Sequence, residues 1–191
     1  MKEEKIPSIN FQTFYTSKEE VNCPLITEIV RIGKKIKDQG NQKDISSVII
    51  SLRFGRRIII NGDYSDLSSI QRDEMLEVVD YDPVRNVLLV IGPKVPKIET
   101  PVHWMIHNAR NDVNCVIQLN GENIVKKLQG KMPSTEKEWK PGSFEMTKDV
   151  LKTLRDSKNI LIKNQGVLFV GGNVKEVEEQ VFKNISKGRK K

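Results

Sequence analysis

Residues 99–121, reading Glu-Thr-Pro-Val-His-Trp-Met-Ile-His-Asn-Ala-Arg-Asn-Asp-Val-Asn-Cys-Val-Ile-Gln-Leu-Asn-Gly, constrain the fold more than any other stretch of the chain. Pro101 suits the first turn of a helix, where its missing N–H would be unpaired anyway. A carboxylate at Glu99 complements the positive end of that helix. The spacing predicts a helix from Pro101 to about Asn111. A short apolar strand follows over Val113–Ile117 and runs into Gln118-Leu119-Asn120, with Gly121 as punctuation. Side chains alternate along a strand, so Gln118 and Asn120 share one face.

The flanking pattern alternates strands and helices. Thr16 or Ser17 is the expected N-cap of a first helix, with Glu19 and Glu20 in its first turn and Pro24 in or near that turn. Leu25, Ile26, Ile29, Val30, Ile32 and Ile36 recur at helical spacing as far as Gly40-Asn41. Val48–Arg53 and Arg57–Ile60 read as strands about a Phe54-Gly55 turn, then Asn61-Gly62-Asp63 as a turn and Ser65–Ser69 as a loop. Met75–Tyr81 and Val87–Ile91 are strand-like, and Gly92–Lys97, with two prolines, is a loop. After residue 121 come a short helix over Glu122–Leu128 and a long loop over Gly130–Gly142. A helix over Phe144–Ser157, strands at Asn159–Ile162 and Val167–Val170, and a helix over Val174–Ser186 complete the chain. This order predicts one α/β domain of three layers, a central and mainly antiparallel sheet flanked by helices. The expected limits are an N-terminal extension over 1–15, the domain over 16–186 and a basic tail over 187–191.

Length and composition narrow the partners. With 191 residues, 37% of them hydrophobic and 30% charged, the chain can bury a core and need not be disordered. No apolar run approaches the roughly 20 residues that span a bilayer. The amino terminus mixes charges and shows no secretory pattern, so a cytoplasmic protein without membrane partners is the expectation. The net charge of +7 raises nucleic-acid binding, but 32 basic residues are interspersed with 25 acidic ones and few aromatics accompany them. A basic nucleic-acid binder is therefore carried only as a second alternative. Cys23 and Cys115 make no disulfide framework, and neither stands at metal-ligand spacing.

Six pieces in order resemble the class II aldolase and adducin N-terminal domain family. They are Ser51-Leu52-Arg53, the Asn61-Gly62 turn, Glu99 through His103, Asn111 through Ile117, Pro141-Gly142-Ser143-Phe144-Glu145, and Leu161 through Leu168. The family includes fuculose- and rhamnulose-1-phosphate aldolases. The resemblance implies their three-layer fold, and a homo-oligomer, expected as a tetramer. In working members three histidines, and often a glutamate, surround a divalent metal that polarises a carbonyl and stabilises an enediolate. Carried over by position, the glutamate falls on Glu99 and the histidines on Gln118, Asn120 and Gln165. The family's anion-holding positions fall on Val48-Ile49, Ile60-Asn61 and Lys97-Ile98, where bulky side chains replace small ones.

Amide oxygens cannot replace imidazole nitrogens at a tetrahedral zinc, so no cofactor is expected and a pseudoenzyme with an assembly or ligand-binding role is the leading expectation. The substrate-binding residues are unknown, and a small-molecule ligand is compatible with the amide cluster. Glu99 is the candidate general base. An alternative keeps enzymatic activity, as a lyase with carbonyl chemistry, through a rearranged zinc or other divalent-metal site. His103 and His107 are the only histidines and stand four residues apart on one helical face with Glu99. Glu99 and His107 are about 12 Å apart along such a helix, too far for one ion's ligand shell, so His103 and His107 would need a further ligand from elsewhere.

Overall fold

The computed structural model describes residues 11–41, 43–62 and 70–185. The expected Ser65–Ser69 loop, the Asp63 end of the turn before it, most of the N-terminal extension and the 187–191 tail lie outside these residues.

Among these residues eight strands form one sheet: β1 (Gln12–Ser17), β2 (Ser47–Phe54), β3 (Arg57–Asn61), β4 (Met75–Asp82), β5 (Val87–Ile91), β6 (Cys115–Asn120), β7 (Asn159–Ile162) and β8 (Gly166–Gly171). Their order across the sheet is β1-β5-β4-β3-β2-β6-β8-β7, and only the β1–β5 pair is parallel. The helices are α1 (Ile26–Gln39), α2 (Thr100–Ala109), α3 (Glu122–Leu128), α4 (Phe144–Leu154) and α5 (Val174–Ile185). The mainly antiparallel three-layer architecture is thus present.

Strand parity decides which helix each side chain meets. On β6, Cys115, Ile117 and Leu119 pack in a core with Ile26, Ile29, Ile32 and Ile36 of α1, Ile124 of α3 and Val177 and Val181 of α5. The intervening Val116 belongs to a second core, with Val102 and Ile106 of α2 and Met146, Val150 and Leu154 of α4. A third core on the α2 side gathers Ile49, Ile58, Ile60, Leu76, Val78 and Trp104. With strand residues buried on both faces, β2, β6 and β8 read as nearly continuous apolar runs. Polar residues inside those runs, Ser51 and Gln118, are both fully buried and stand on the α2 parity of their strands.

Several boundaries differ from the sequence expectation. Thr16 and Ser17 close strand β1 instead of capping a helix, and β1 begins at Gln12, inside the expected extension. Five of its residues pair with β5 at the sheet edge, which satisfies backbone groups that a cap at Thr16 would have used otherwise. α1 therefore starts at Ile26, just after Pro24. Asn61 is also no turn residue. It is buried at the end of β3, where its Nδ2 donates to the Val48 carbonyl (2.9 Å) and its Oδ1 accepts from the Ile50 N–H (2.7 Å). Its side chain so extends the ladder to β2 beyond the end of the backbone pairing.

One carboxylate ties the Gly130–Gly142 loop to α4, and backbone bonds between Thr135, Pro133 and Leu161 tie it to β7. Asp149 Oδ2 on α4 accepts from the Glu136 N–H (2.8 Å) and from Trp139 Nε1 (2.8 Å). On the other side, Glu178 of α5 pairs with Arg31 and Lys35 of α1, and the Arg31 guanidinium foremost holds the Glu178 carboxyl down at about 2.

Candidate functional site

Helix α2 lies over β2 and β6 with Val102 and Ile106 to one side and Trp104 to the other. His103 and His107, four residues apart, therefore point between these two flanks at the sheet. Both rings are fully buried. They meet on a single hydroxyl: Ser51 Oγ is 2.8 Å from His103 Nδ1 and 2.9 Å from His107 Nε2. His107 Nδ1 lies 3.2 Å from the Val113 carbonyl oxygen.

A carbonyl oxygen only accepts, so His107 carries its proton on Nδ1 and its Nε2 accepts from the Ser51 hydroxyl. Ser51 Oγ is then left to accept from His103 Nδ1–H. Both imidazoles are held neutral. Burial pushes His103 down to about 3, with His107 nearby adding to the effect. Burial likewise pushes His107 to about 4, with the Arg53 guanidinium contributing in the same direction.

Arg53, two residues beyond Ser51 on the same face of β2, closes the far end. Its Nη2 donates to the carbonyls of Arg110 (3.0 Å), Val113 (2.8 Å) and His107, and its Nε donates to Val113 (3.1 Å). These carbonyls belong to the last turn of α2, where onward helical donors run out, and to the turn after it. One strand thus holds both the inward face and the end of the helix.

On the N-terminal side of α2 the site becomes polar. Asn120 Nδ2 donates to Glu99 Oε1 (2.8 Å), and Gln118 Nε2 donates to Asn120 Oδ1 (2.8 Å). The Gln118 carbonyl oxygen and His103 Nε2 are both buried without a well-formed hydrogen bond, although the Gln118 amide still favours the charged form of His103. Gln165 occupies the turn before β8. Its backbone carbonyl accepts from the Gly121 N–H (3.0 Å), and its side-chain oxygen is buried and unpartnered, as is Thr100 Oγ1.

Two glycines make room for this corner. A Cβ on Gly166 would stand 2.4 Å from the Leu119 carbonyl oxygen and 2.6 Å from Asn120 Oδ1. Gly121, at φ +152°, would press a Cβ to 2.2 Å from the Asp44 carbonyl oxygen.

Glu99, Asn120 and Gln118 are therefore joined by hydrogen bonds, and His103, Ser51 and His107 form a second bonded group beneath α2. Gln165 is placed beside the first group through its neighbour Gly166. The two histidines, considered above as a metal pair, instead turn one nitrogen each onto Ser51, and His107 spends its second on Val113. Only His103 Nε2 remains, which is no ligand pair, and no cluster of three or more His, Cys, Asp or Glu able to hold a metal occurs among the described residues. The donor set at the Glu99 end is one carboxylate and amide oxygens, which does not fit a tetrahedral zinc that selects imidazole nitrogen and thiolate. Val48 and Ile49, expected from the resemblance at the family's anion-holding positions, are core residues, and Lys97 is buried. Cys115 is buried on the opposite face, its thiol pushed up to about 12 by burial, so it is no nucleophile here. Sequence reading missed Ser51 as the bridge between the histidines. The only available signal was a lone hydroxyl in an apolar strand.

The chain matches the Class II Aldolase and Adducin N-terminal domain family over residues 27–125. It belongs to this family. Solved structures agree on the fold. An L-fuculose 1-phosphate aldolase superposes with a TM-score of 0.66 at 15% identity, over 87% of this chain and 85% of that one. A sugar-phosphate aldolase from Thermotoga maritima gives 0.64 at 17% identity, over 83% and 89%. The N-terminal class II aldolase domain of a conserved protein from Thermoplasma acidophilum gives 0.62 at 15%, over 88% and 93%. At such identities the likeness carries the fold alone. No curated protein sequence matches the chain. Among the described residues no helix is long and apolar enough to cross a membrane.

Proposed function

We propose that this class II aldolase-family protein does not run the zinc-dependent aldol reaction, and that it keeps the corner between Glu99, Asn120 and Gln165 as a binding site for a small polar ligand within a homo-oligomeric, tetrameric scaffold. The observation that carries this reading is the pair of 2.8 Å hydrogen bonds joining Gln118, Asn120 and Glu99. A carboxylate that would ligate a metal is here the acceptor of an amide N–H, and the two positions that would supply imidazoles donate to and accept from one another. Glu99 remains the group able to take a proton from a bound ligand. The nearest histidine is turned inward as scaffold, so general-base work would fall on the carboxylate alone.

The test is elemental analysis of the purified protein together with a retro-aldol assay on ketose 1-phosphates. The expected result is no stoichiometric transition metal and no activity on adding zinc. About one tightly held zinc per chain, or zinc-dependent cleavage, would overturn the proposal.

A further inference from the structure

Helix α4 has two faces. Met146, Val150 and Leu154 enter the core shared with α2, whereas Glu145, Lys148, Asp149 and Lys152, at three- and four-residue spacing, line up on another side. The loop before α4 is tied against that side through Asp149. Between them lies a cavity of about 310 Å³, walled by these four residues together with Glu136 and Trp139 of the loop. A space of that size, with one aromatic wall and a few polar groups, suits a small organic molecule. None of its six lining residues belongs to the Glu99 corner.

The charges in the wall do not cancel. Glu136, Glu145 and Asp149 set three carboxylates against the two ammonium groups of Lys148 and Lys152. Lys152 pairs with Glu136, but both side chains are well exposed, and such a pair is weak enough to exchange partners. Lys148 lies over the Phe144 ring, 5.8 Å from its centre. Glu145 joins no ion pair among the described residues.

Asp149 sets the sign of the site. It is only 6% exposed. Its Oδ2 accepts from the Glu136 and Lys137 N–H groups and from Trp139 Nε1, whereas Oδ1 is buried with no partner. A buried carboxylate oxygen without a donor is unfavourable. A charge withdrawn from water also acts on an adjoining cavity with less screening than the exposed lysines do. The Trp139 ring already has a cation, Lys137 Nζ, at 5.7 Å from its centre. Further positive charge is therefore better placed among the carboxylates, with the indole left to offer apolar contact.

We propose that the cavity between α4 and the loop over residues 136–139 binds a small organic amine, its ammonium group among the carboxylates of Glu136, Glu145 and Asp149 and its hydrocarbon body against Trp139. The incoming ammonium takes the place that Lys152 now holds at Glu136.

The test titrates the full-length protein with phenethylammonium chloride, with 2-phenylethanol as the neutral analogue and 3-phenylpropionate as the anionic one. Calorimetry gives the affinity, and the Trp139 Nε1–H resonance reports the place, because that proton lies on Asp149 Oδ2. The expected result is saturable amine binding at millimolar concentration or below, together with a shifted Trp139 resonance. The alcohol and the acid should bind about tenfold more weakly or worse, since only the amine gains from the carboxylates.

Asp149→Asn, which keeps an oxygen for the loop N–H groups, should weaken amine binding about tenfold. Glu145→Gln should weaken it about two- to fivefold, the worth of an exposed ion pair. Lys152→Gln should tighten it by about the same factor, because Glu136 is released from its present partner. Glu145 and Lys152 are exposed, so these two variants keep the test decisive if Asp149→Asn does not fold. No saturable amine binding, equal binding of the alcohol or the acid, a Trp139 resonance that stays fixed, or an affinity that Lys152→Gln leaves unchanged or lowers would each overturn the inference. The reading of the Glu99 corner stands or falls separately, because the two sites share no residue.

Discussion

Lowering the pH from 7 to 5 should destabilise this protein steeply, and the two buried histidines set the size of the effect. They are the only histidines in the chain. In the folded state burial holds them at about 3 and about 4, against an ordinary value of 6.5. Between pH 6.5 and 4, then, the unfolded chain binds two protons that the folded chain refuses. Stability falls with pH wherever the unfolded state binds more protons, so the folded state loses ground as acid is added. Each histidine contributes about 1.4 kcal/mol per pH unit once the unfolded imidazole is fully protonated. Integrated from pH 7 to pH 5, that is about 2 kcal/mol per ring and about 4 kcal/mol for the pair, against a total stability of about 5–15 kcal/mol for a domain. The carboxylate Glu178, held down to about 2 by Arg31 and Lys35, acts in a lower window. Its stabilisation is present above its ordinary value near 4.5 and is lost only as pH falls toward 2, so it does not blur the histidine window. Urea unfolding at half-unit steps of pH measures the curve. A His107→Gln variant should show about half the slope between pH 6 and 5. A wild-type stability that is flat from pH 7 to 5 would refute the account, because it would require imidazoles that stay protonated or reach solvent when folded.

Three other outcomes follow from the same geometry. Ser51→Ala removes the one hydroxyl that pairs with both rings and should cost about 2–4 kcal/mol in chemical denaturation, since two buried nitrogens lose their partner at once; a cost below about 1 kcal/mol would mean that the rings pair elsewhere. Gly166→Ala forces a methyl group against the Leu119 and Asn120 oxygens and should cost about 2 kcal/mol or more, with the Asn120 side-chain amide resonances shifted. Light scattering at micromolar concentration should report a mass near four times 21.9 kDa; a clean monomer would refute the tetramer.

Strand and helix periodicity exposed the site in part, and the limits of that legibility have definite causes. Alternation along β6 placed Gln118 and Asn120 on one face, and four-residue spacing on α2 placed His103 and His107 on another, because both patterns are local. What those faces meet is not local. Ser51 lies 52 residues from His103 in sequence, and only the antiparallel pairing of β2 with β6, Ser51 opposite Val116, brings it beneath α2. A serine inside Val-Ile-Ile-Ser-Leu-Arg reads as one polar interruption of a strand, with nothing to say that two imidazoles share it. The same competition between local and distant bonding explains the missed edge strand. Thr16-Ser17 followed by Glu19-Glu20 carries good cap chemistry, but pairing with β5, more than seventy residues away, offers the backbone a full ladder where a cap offers one or two bonds. Local pattern thus reveals which residues share a face. The partner of each face depends on the sheet order, and in this protein the antiparallel pairing of β2 with β6 is what sets Ser51 beneath the inward-turned histidines of α2.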